Sequence, residues 1–189
     1  MNSKEIIIIT GSNGFLAQKI TQSLKNDYDF IGIDTNSSIN QEEVSAQQNS
    51  HLLYSFINSA SNPCFLKFLE SFITSKQLKV KAVIHTACPS ILENDDRIEN
   101  ILNHFEVANI PLMLLQKYKQ IVIGTESIRL DNVLPYKLAK YSQELMCNEV
   151  GATYLKYGAF GNNKHLNHLV EGNFEEISNL IAEIKTNLK

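Results

Sequence analysis

The sequence predicts an α/β protein built on a doubly wound parallel sheet with strand order 3-2-1-4-5-6. Three observations predict it. Short apolar runs occur without polar alternation, as strands covered on both faces require. Stretches of helical spacing separate successive runs, as in parallel β-α units. Finally, Thr10-Gly11-Ser12-Asn13-Gly14 follows the first run directly and opens the first helix. Ligands in such sheets bind beyond the carboxyl ends of the strands where their order reverses, here between strands 1 and 4.

The elements follow in order. Glu5–Ile9 is a β-branched run that stops at Thr10-Gly11, and Phe15 to Leu24 has helical spacing. Asp29–Ile33 is a second strand ended by Asp34. Residues 35–50, rich in Ser, Asn and Gln, form a loop with room for one helical turn, and Leu52–Ile57 is a third strand. Pro63 sits where a helix begins, with Phe65, Leu66, Leu69, Phe72 and Ile73 as its apolar stripe. Val80–His85 is the fourth strand. Ile98 to Tyr118 is mostly helical, with a kink or break expected at Pro111. Gln120–Ile123 is the fifth strand, Tyr136–Val150 a helix closed by Gly151, and Thr153–Tyr157 the sixth strand. Phe174, Ile177, Ile181, Ile184 and Leu188 repeat at helical spacing, so the C-terminus carries an amphipathic helix expected to pack on its own sheet.

Composition narrows the function. With 189 residues the chain is expected to be one domain, in which 162–189 forms a short appendage. Lys and Arg number 17 against 20 Asp and Glu, a net charge of -3 without a basic cluster, which disfavours a nucleic-acid binder. Three widely spaced cysteines, Cys64, Cys88 and Cys147, suit reduced thiols of a cytoplasmic protein better than a disulfide framework. Ile6-Ile7-Ile8-Ile9 is too short to cross a membrane and lacks the flanks of a signal peptide.

Three motifs carry chemistry. In the glycine turn, Gly11 permits the tight bend and Gly14 lets the backbone approach a pyrophosphate resting on the helix N-terminus. Asp34 lies 23 residues beyond Gly11, where an acid hydrogen-bonds the adenosine ribose hydroxyls and repels a 2′-phosphate. No Arg or Lys follows in Thr35-Asn36-Ser37-Ser38, so NAD is expected rather than its 2′-phosphorylated form. Third, Tyr136 and Lys140 form a Tyr-x-x-x-Lys pair, which shares one helix face. An ammonium beside a phenol lowers the phenol's pKa and moves it toward the working range of a general acid or base. Two histidines, His165 and His168, lack a third metal ligand and read as a polar loop, so no metal is expected. Cys88 reads as a structural thiol beside the cofactor cleft.

Together these residues resemble the short-chain dehydrogenase/reductase superfamily and, within it, the extended branch of NAD-dependent epimerases and dehydratases. The glycine turn followed by Phe15-Leu16, the strand-4 run Val83-Ile84-His85-Thr86-Ala87, and Pro135-Tyr136-Lys137-Leu138-Ala139-Lys140 with Glu144 carry the resemblance over residues 4–161. It implies a Rossmann fold in which Gly11, Asn13, Gly14, Phe15, Leu16, Asp34, Thr86, Ala87 and Lys140 hold NAD. It also implies that Tyr136 is the catalytic acid/base, that Lys140 binds the nicotinamide ribose, and that Thr125 hydrogen-bonds the reacting oxygen, with Ser127 in reserve. Glu126 stands where dehydratases of this branch carry an acid that helps expel water, although an ordinary surface glutamate reads equally well. The implied reaction is transient oxidation of a nucleotide-linked sugar or related polyol by hydride transfer. The implied assembly is a homodimer formed through helices 98–118 and 136–150, with Leu112, Leu115, Leu138 and Leu145 available for its interface or for the sheet.

Departures from that branch are specific. Ala17 replaces a third glycine, Asn58 or Ser59 stands in for an acid that contacts adenine, and Lys156 replaces an Arg. Only 11 residues separate Thr125 from Tyr136, and about 28 follow Gly161, so the substrate region is expected to be truncated. A module that binds NAD without turnover is therefore the alternative. A small-substrate reductase of the single-domain branch is a third reading, one that Asp34 opposes.

Overall fold

The computed structural model describes residues 4–35, 49–87, 98–125, 134–157 and 177–189, with the backbone alone at 98, 125 and 134–137. In chain order the elements are β1 (Ile6–Thr10), α1 (Phe15–Leu24), β2 (Asp29–Asp34), β3 (Tyr54–Ile57), α2 (Pro63–Ser75), β4 (Val80–His85), α3 (Ile98–Leu114), β5 (Gln120–Thr125), α4 (Leu134–Val150), β6 (Thr153–Tyr157) and α5 (Ile177–Leu188). The strands form a six-stranded sheet in the order β3-β2-β1-β4-β5-β6, a Rossmann-like α/β fold. The expected strand order and element sequence are those observed. The chain divides into two compact units, Met1–Ala87 with Leu114–Gln120 and Cys88–Met113 with Ile121–Lys189.

In the first unit β1 pairs in parallel with β2 and with β4, and β2 pairs in parallel with β3. Ile6 to Ile9 are each no more than 1% exposed, so side chains on both faces of β1 are buried and the run shows no alternation. Ile6 and Ile8 pack with Ile31, Ile33 and the α2 residues Phe65, Leu66, Leu69 and Ile73. The start of α2 follows the sequence closely. The Asn62 side chain accepts from the Cys64 and Phe65 N–H groups, and Pro63 occupies the first turn, where its missing donor costs nothing. The third strand begins at Tyr54 rather than Leu52: the Leu52 N–H still donates to the Asn49 carbonyl at 3.3 Å in the preceding turn, and the Leu52 Cδ1 lies against Gly32, where a Cβ would meet it at 2.4 Å.

In the second unit β5 and β6 pair in parallel, and Leu112, Val122 and Cys147 form a small core with Met146, Val150, Ala152 and Tyr154 around it. Burial pushes the Cys147 thiol up to about 12, so this cysteine is inert. Cys64 is free and exposed, and Cys88 lies outside the described residues. Helix α3 passes through Pro111 without interruption and ends at Leu114, four residues short of Tyr118. Proline removes one backbone donor, and the buried face that includes Ala108 and Leu112 holds the helix together across the gap. Helix α5 packs on β6 through Leu180, Ile184 and Leu188, an i, i+4, i+8 stripe, while Ile177 and Ile181 flank it and Phe174 lies outside the described residues. The Tyr157 hydroxyl donates to the Glu183 carboxylate at 2.6 Å across that contact.

Two of the four leucines considered for a dimer interface are core residues instead. Leu112 and Leu115 are fully buried, whereas Leu138 and Leu145 are about half exposed. Among the described residues no helix is long and apolar enough to cross a membrane.

Candidate functional site

The first unit builds a tight glycine turn out of strand ends. Strand β1 delivers Gly11 at φ +68°, a left-handed conformation that a side chain disfavours. Space forbids one as well, since a Cβ here would sit 2.7 Å from Ala87 Cα and 2.9 Å from Ala87 N. The Gly11 N–H donates to the Ile33 carbonyl at 2.8 Å, and the Gly14 N–H donates to the Gly11 carbonyl at 3.0 Å. From the β4 side, the Thr86 hydroxyl donates to the Thr10 carbonyl at 2.6 Å. Gly11, Thr86 and Ala87, expected from separate motifs, therefore meet at one point.

The turn opens α1, whose N-cap is Gly14. No side chain caps this helix, and its first turn holds no acid. Gly14 and Phe15 are exposed and Leu16 is half-buried, so the N–H groups and the positive dipole end of α1 are left for an anion. A phosphate fits the chemistry of such an end.

Asp34 ends β2 and reaches the turn directly. Its Oδ2 accepts from the Asn13 N–H at 2.7 Å. Burial holds its carboxyl above the ordinary value, and the backbone N–H groups of Asn13 and Thr35 pull it part of the way back. A raised folded-state pKa means the folded protein binds this proton more tightly than the unfolded chain. Ionised Asp34 therefore costs stability at neutral pH, and the cost fades as pH falls through the folded pKa.

Sequence reasoning missed two side chains that complete the first unit's turn. Gln18 Nε2 donates to the Asn13 carbonyl at 2.8 Å, and Asn49 Nδ2 donates to the Ser12 carbonyl at 3.0 Å. Asn49 stands in a stretch rich in Ser, Asn and Gln, where nothing distinguishes it from its neighbours.

The second unit places the Tyr-x-x-x-Lys pair on α4. Tyr136 lies one helical turn before Lys140, and Thr125 is the last residue of β5. The side chains of Tyr136 and Thr125, and Glu126 and Ser127 altogether, lie outside the described residues, as do His165 and His168. Lys140 is described in full and is 5% exposed. Its Nζ donates to Gln143 Oε1 at 3.0 Å and to the Ile123 carbonyl at 3.5 Å. Gln143, also missed, is buried and passes its own Nε2 to the Ala108 carbonyl at 2.8 Å, so β5, α4 and α3 are tied through one lysine and one amide. Close by, the Asn109 side chain donates to the Ser142 hydroxyl at 2.9 Å. Lys156 does not join this network; it pairs with Glu144 at 2.9 Å on the surface. Among the described residues no three His, Cys, Asp or Glu side chains gather as a metal site would need.

No family model and no curated protein matches the sequence. Solved structures do match the fold. An NAD+-bound xylitol dehydrogenase superposes with a TM-score of 0.72 at 10% identity, covering 99% of this chain and 93% of that one. The Bordetella bronchiseptica enzyme WbmH in complex with NAD+ gives 0.70 at 16% identity, covering 98% of this chain and 72% of that one. UDP-glucose 4-epimerase from Bifidobacterium longum, solved with NAD+ and UDP, gives 0.59 at 15% identity; 80% of this chain spans 52% of that one. At these identities the likeness is one of fold.

Proposed function

We propose that the chain is an NAD-dependent oxidoreductase of the short-chain dehydrogenase/reductase superfamily, of the extended epimerase/dehydratase type, acting on a nucleotide-linked sugar or related polyol. The observation that carries the cofactor reading is the closed geometry of Gly11, Asp34, Thr86 and Ala87 around an uncapped helix start. Gly11, Asn13, Gly14, Phe15 and Leu16 would cradle the pyrophosphate, Asp34 the adenosine ribose, Thr86 and Ala87 the dinucleotide backbone, and Lys140 the nicotinamide ribose. The NAD+ bound in solved structures of this fold supports the same reading. NAD supplies the hydride-accepting ring, which is the difficult part of the chemistry.

The chain's own residues position and move protons. Tyr136 takes or returns the proton of the substrate hydroxyl, Thr125 hydrogen-bonds the same oxygen, and Glu126 assists where water leaves. Lys140, held by Gln143 and the Ile123 carbonyl, presents a fixed cation one turn from Tyr136.

Calorimetric titration with NAD tests the cofactor reading, and Asp34→Asn sharpens it. That variant is expected to weaken NAD about tenfold, the size of one charge-assisted hydrogen bond, and to narrow the preference for NAD over its 2′-phosphorylated form. Without ligand its unfolding midpoint at neutral pH should lie at or above that of the unaltered protein, with the difference shrinking toward acid. Undiminished NAD affinity in Asp34→Asn would sink the assigned role.

Supporting a homodimer, α3 and α4 carry large apolar side chains that the fold leaves in solvent: Leu102, Phe105 and Met113 on the first, Leu138, Tyr141 and Leu145 on the second. Sedimentation velocity is expected to show a dimer that Leu145→Glu converts to monomer. A monomeric unaltered protein would remove this part of the proposal. A cytoplasmic setting suits the free thiols of Cys64 and Cys147.

A further inference from the structure

We infer that Asn49 is the positioning residue of the pyrophosphate turn, an inference that rests on the NAD reading above. Asn49 is 7% exposed and every polar atom of its side chain is engaged. Its Nδ2 donates to the Ser12 carbonyl at 3.0 Å and to Thr21 Oγ1 at 3.0 Å, and its Oδ1 accepts from the His51 N–H at 3.2 Å. The hydroxyl of Thr21, on α1, also lies 3.1 Å from Asn49 Oδ1 and 3.0 Å from the Gln18 carbonyl. One amide thus binds the turn, the first helix and the chain entering β3.

The direction of these bonds matters for an anion. The turn's own N–H groups are spent within the protein, Gly11 and Ser12 on the Ile33 carbonyl, Asn13 on Asp34 and Gly14 on the Gly11 carbonyl. A phosphate at the start of α1 would therefore meet the N–H groups of the helix's first turn, which the glycine turn positions with its Ser12 and Asn13 carbonyls directed inward to side chains of the protein. Inward carbonyls are buried acceptors and need donors. Asn49 supplies one at Ser12, and Gln18 supplies the next at Asn13. Asp34 fixes the opposite side of the same peptide segment by accepting the Asn13 N–H. Ser12 packs against β2 at a position where only glycine fits, since a Cβ built on Gly32 would lie 2.8 and 2.7 Å from the Ser12 Cβ and Oγ. The Ser12–Asn13 peptide is thus held at both ends, its carbonyl by Asn49 and its N–H by Asp34. Without the amide of Asn49 that peptide would turn its carbonyl toward solvent, draw its N–H off Asp34 and shift the start of α1.

Two variants separate positioning from mere support. Asn49→Ser removes the donor to Ser12 without adding charge, and Thr21→Val breaks the same buried cluster while leaving that donor in place. Calorimetric NAD titration and thermal unfolding are run on both. Asn49→Ser is expected to weaken NAD at least about tenfold, as the loss of one buried hydrogen bond implies, and Thr21→Val to stay within about twofold despite a similar fall in unfolding midpoint. If Asn49→Ser does not fold, Asn49→Thr is read in its place. NAD affinities that fall together with stability in both variants, or that stay unchanged in Asn49→Ser, overturn the inference. An unaltered protein that fails to bind NAD overturns the cofactor reading itself and this inference with it, and the unaltered protein's own titration identifies that case.

Discussion

Gly11→Ala is expected to remove measurable NAD binding and to lower folding stability by about 2–4 kcal/mol. Two costs combine. A left-handed backbone at φ +68° penalises any L side chain by roughly 1–2 kcal/mol. The new Cβ would also sit 2.7 Å from Ala87 Cα, and the obstruction is backbone, which cannot rotate aside as a side chain would. Relief requires the end of β4 to move off β1, and Thr86 would then lose its 2.6 Å bond to the Thr10 carbonyl. For a chain of this length each kcal/mol shifts the midpoint by roughly 2–4 °C, so the loss is visible in a melting curve. Gly14→Ala is the matched comparison. Gly14 sits at φ -66°, open to any residue, and its Cβ would meet only the Gly11 carbonyl, at 3.1 Å. It should melt within a few degrees of the unaltered protein and lose affinity alone. A Gly11→Ala protein that melts like Gly14→Ala would contradict the packing argument.

What the sequence made legible was local or periodic. β1 announced itself because burial on both faces writes an unbroken apolar run, and the start of α2 because Asn62 and Pro63 are adjacent in sequence to the groups they serve. Gly11 and Asp34 were legible because the spacing of a strand, a helix and a second strand fixes their separation. Asn49 and Gln143 were not. Their partners lie far along the chain, 37 residues away for Ser12 and 35 for Ala108, and a side-chain amide carries no period or motif to announce such a bond. Pro111 misled for a related reason: proline's local penalty was visible, but the burial that outweighs it belongs to the packed helix. Leu112 and Leu138 looked alike in sequence, and only packing decides that one is core and the other surface.

Replacing Tyr136 or Lys140 should separate chemistry from cofactor binding. Tyr136→Phe is expected to reduce turnover by about 10²–10⁴, the usual contribution of a positioned acid/base, while NAD affinity and the unfolding midpoint stay near those of the unaltered protein. Lys140→Met should act on all three. The methionine preserves length and apolar bulk but takes the donor from Gln143 Oε1 and the Ile123 carbonyl, both within a buried network. A buried acceptor left without its partner costs about 1–3 kcal/mol, so this variant melts lower, binds NAD more weakly and turns over slowly. Gln143 offers an internal check. Gln143→Leu leaves Lys140 its charge but removes the acceptor and the tie to Ala108, so turnover should fall through misplacement, by less than in Lys140→Met. Turnover is read as NADH formation with a panel of polyols and nucleotide-linked sugars. Should the protein bind NAD and turn over one of these at a rate that Tyr136→Phe leaves untouched, the acid/base assignment fails. Binding without turnover across the panel would instead favour the module that holds NAD without catalysis, in which Lys140 keeps its place for the ribose and Tyr136 has no proton to move.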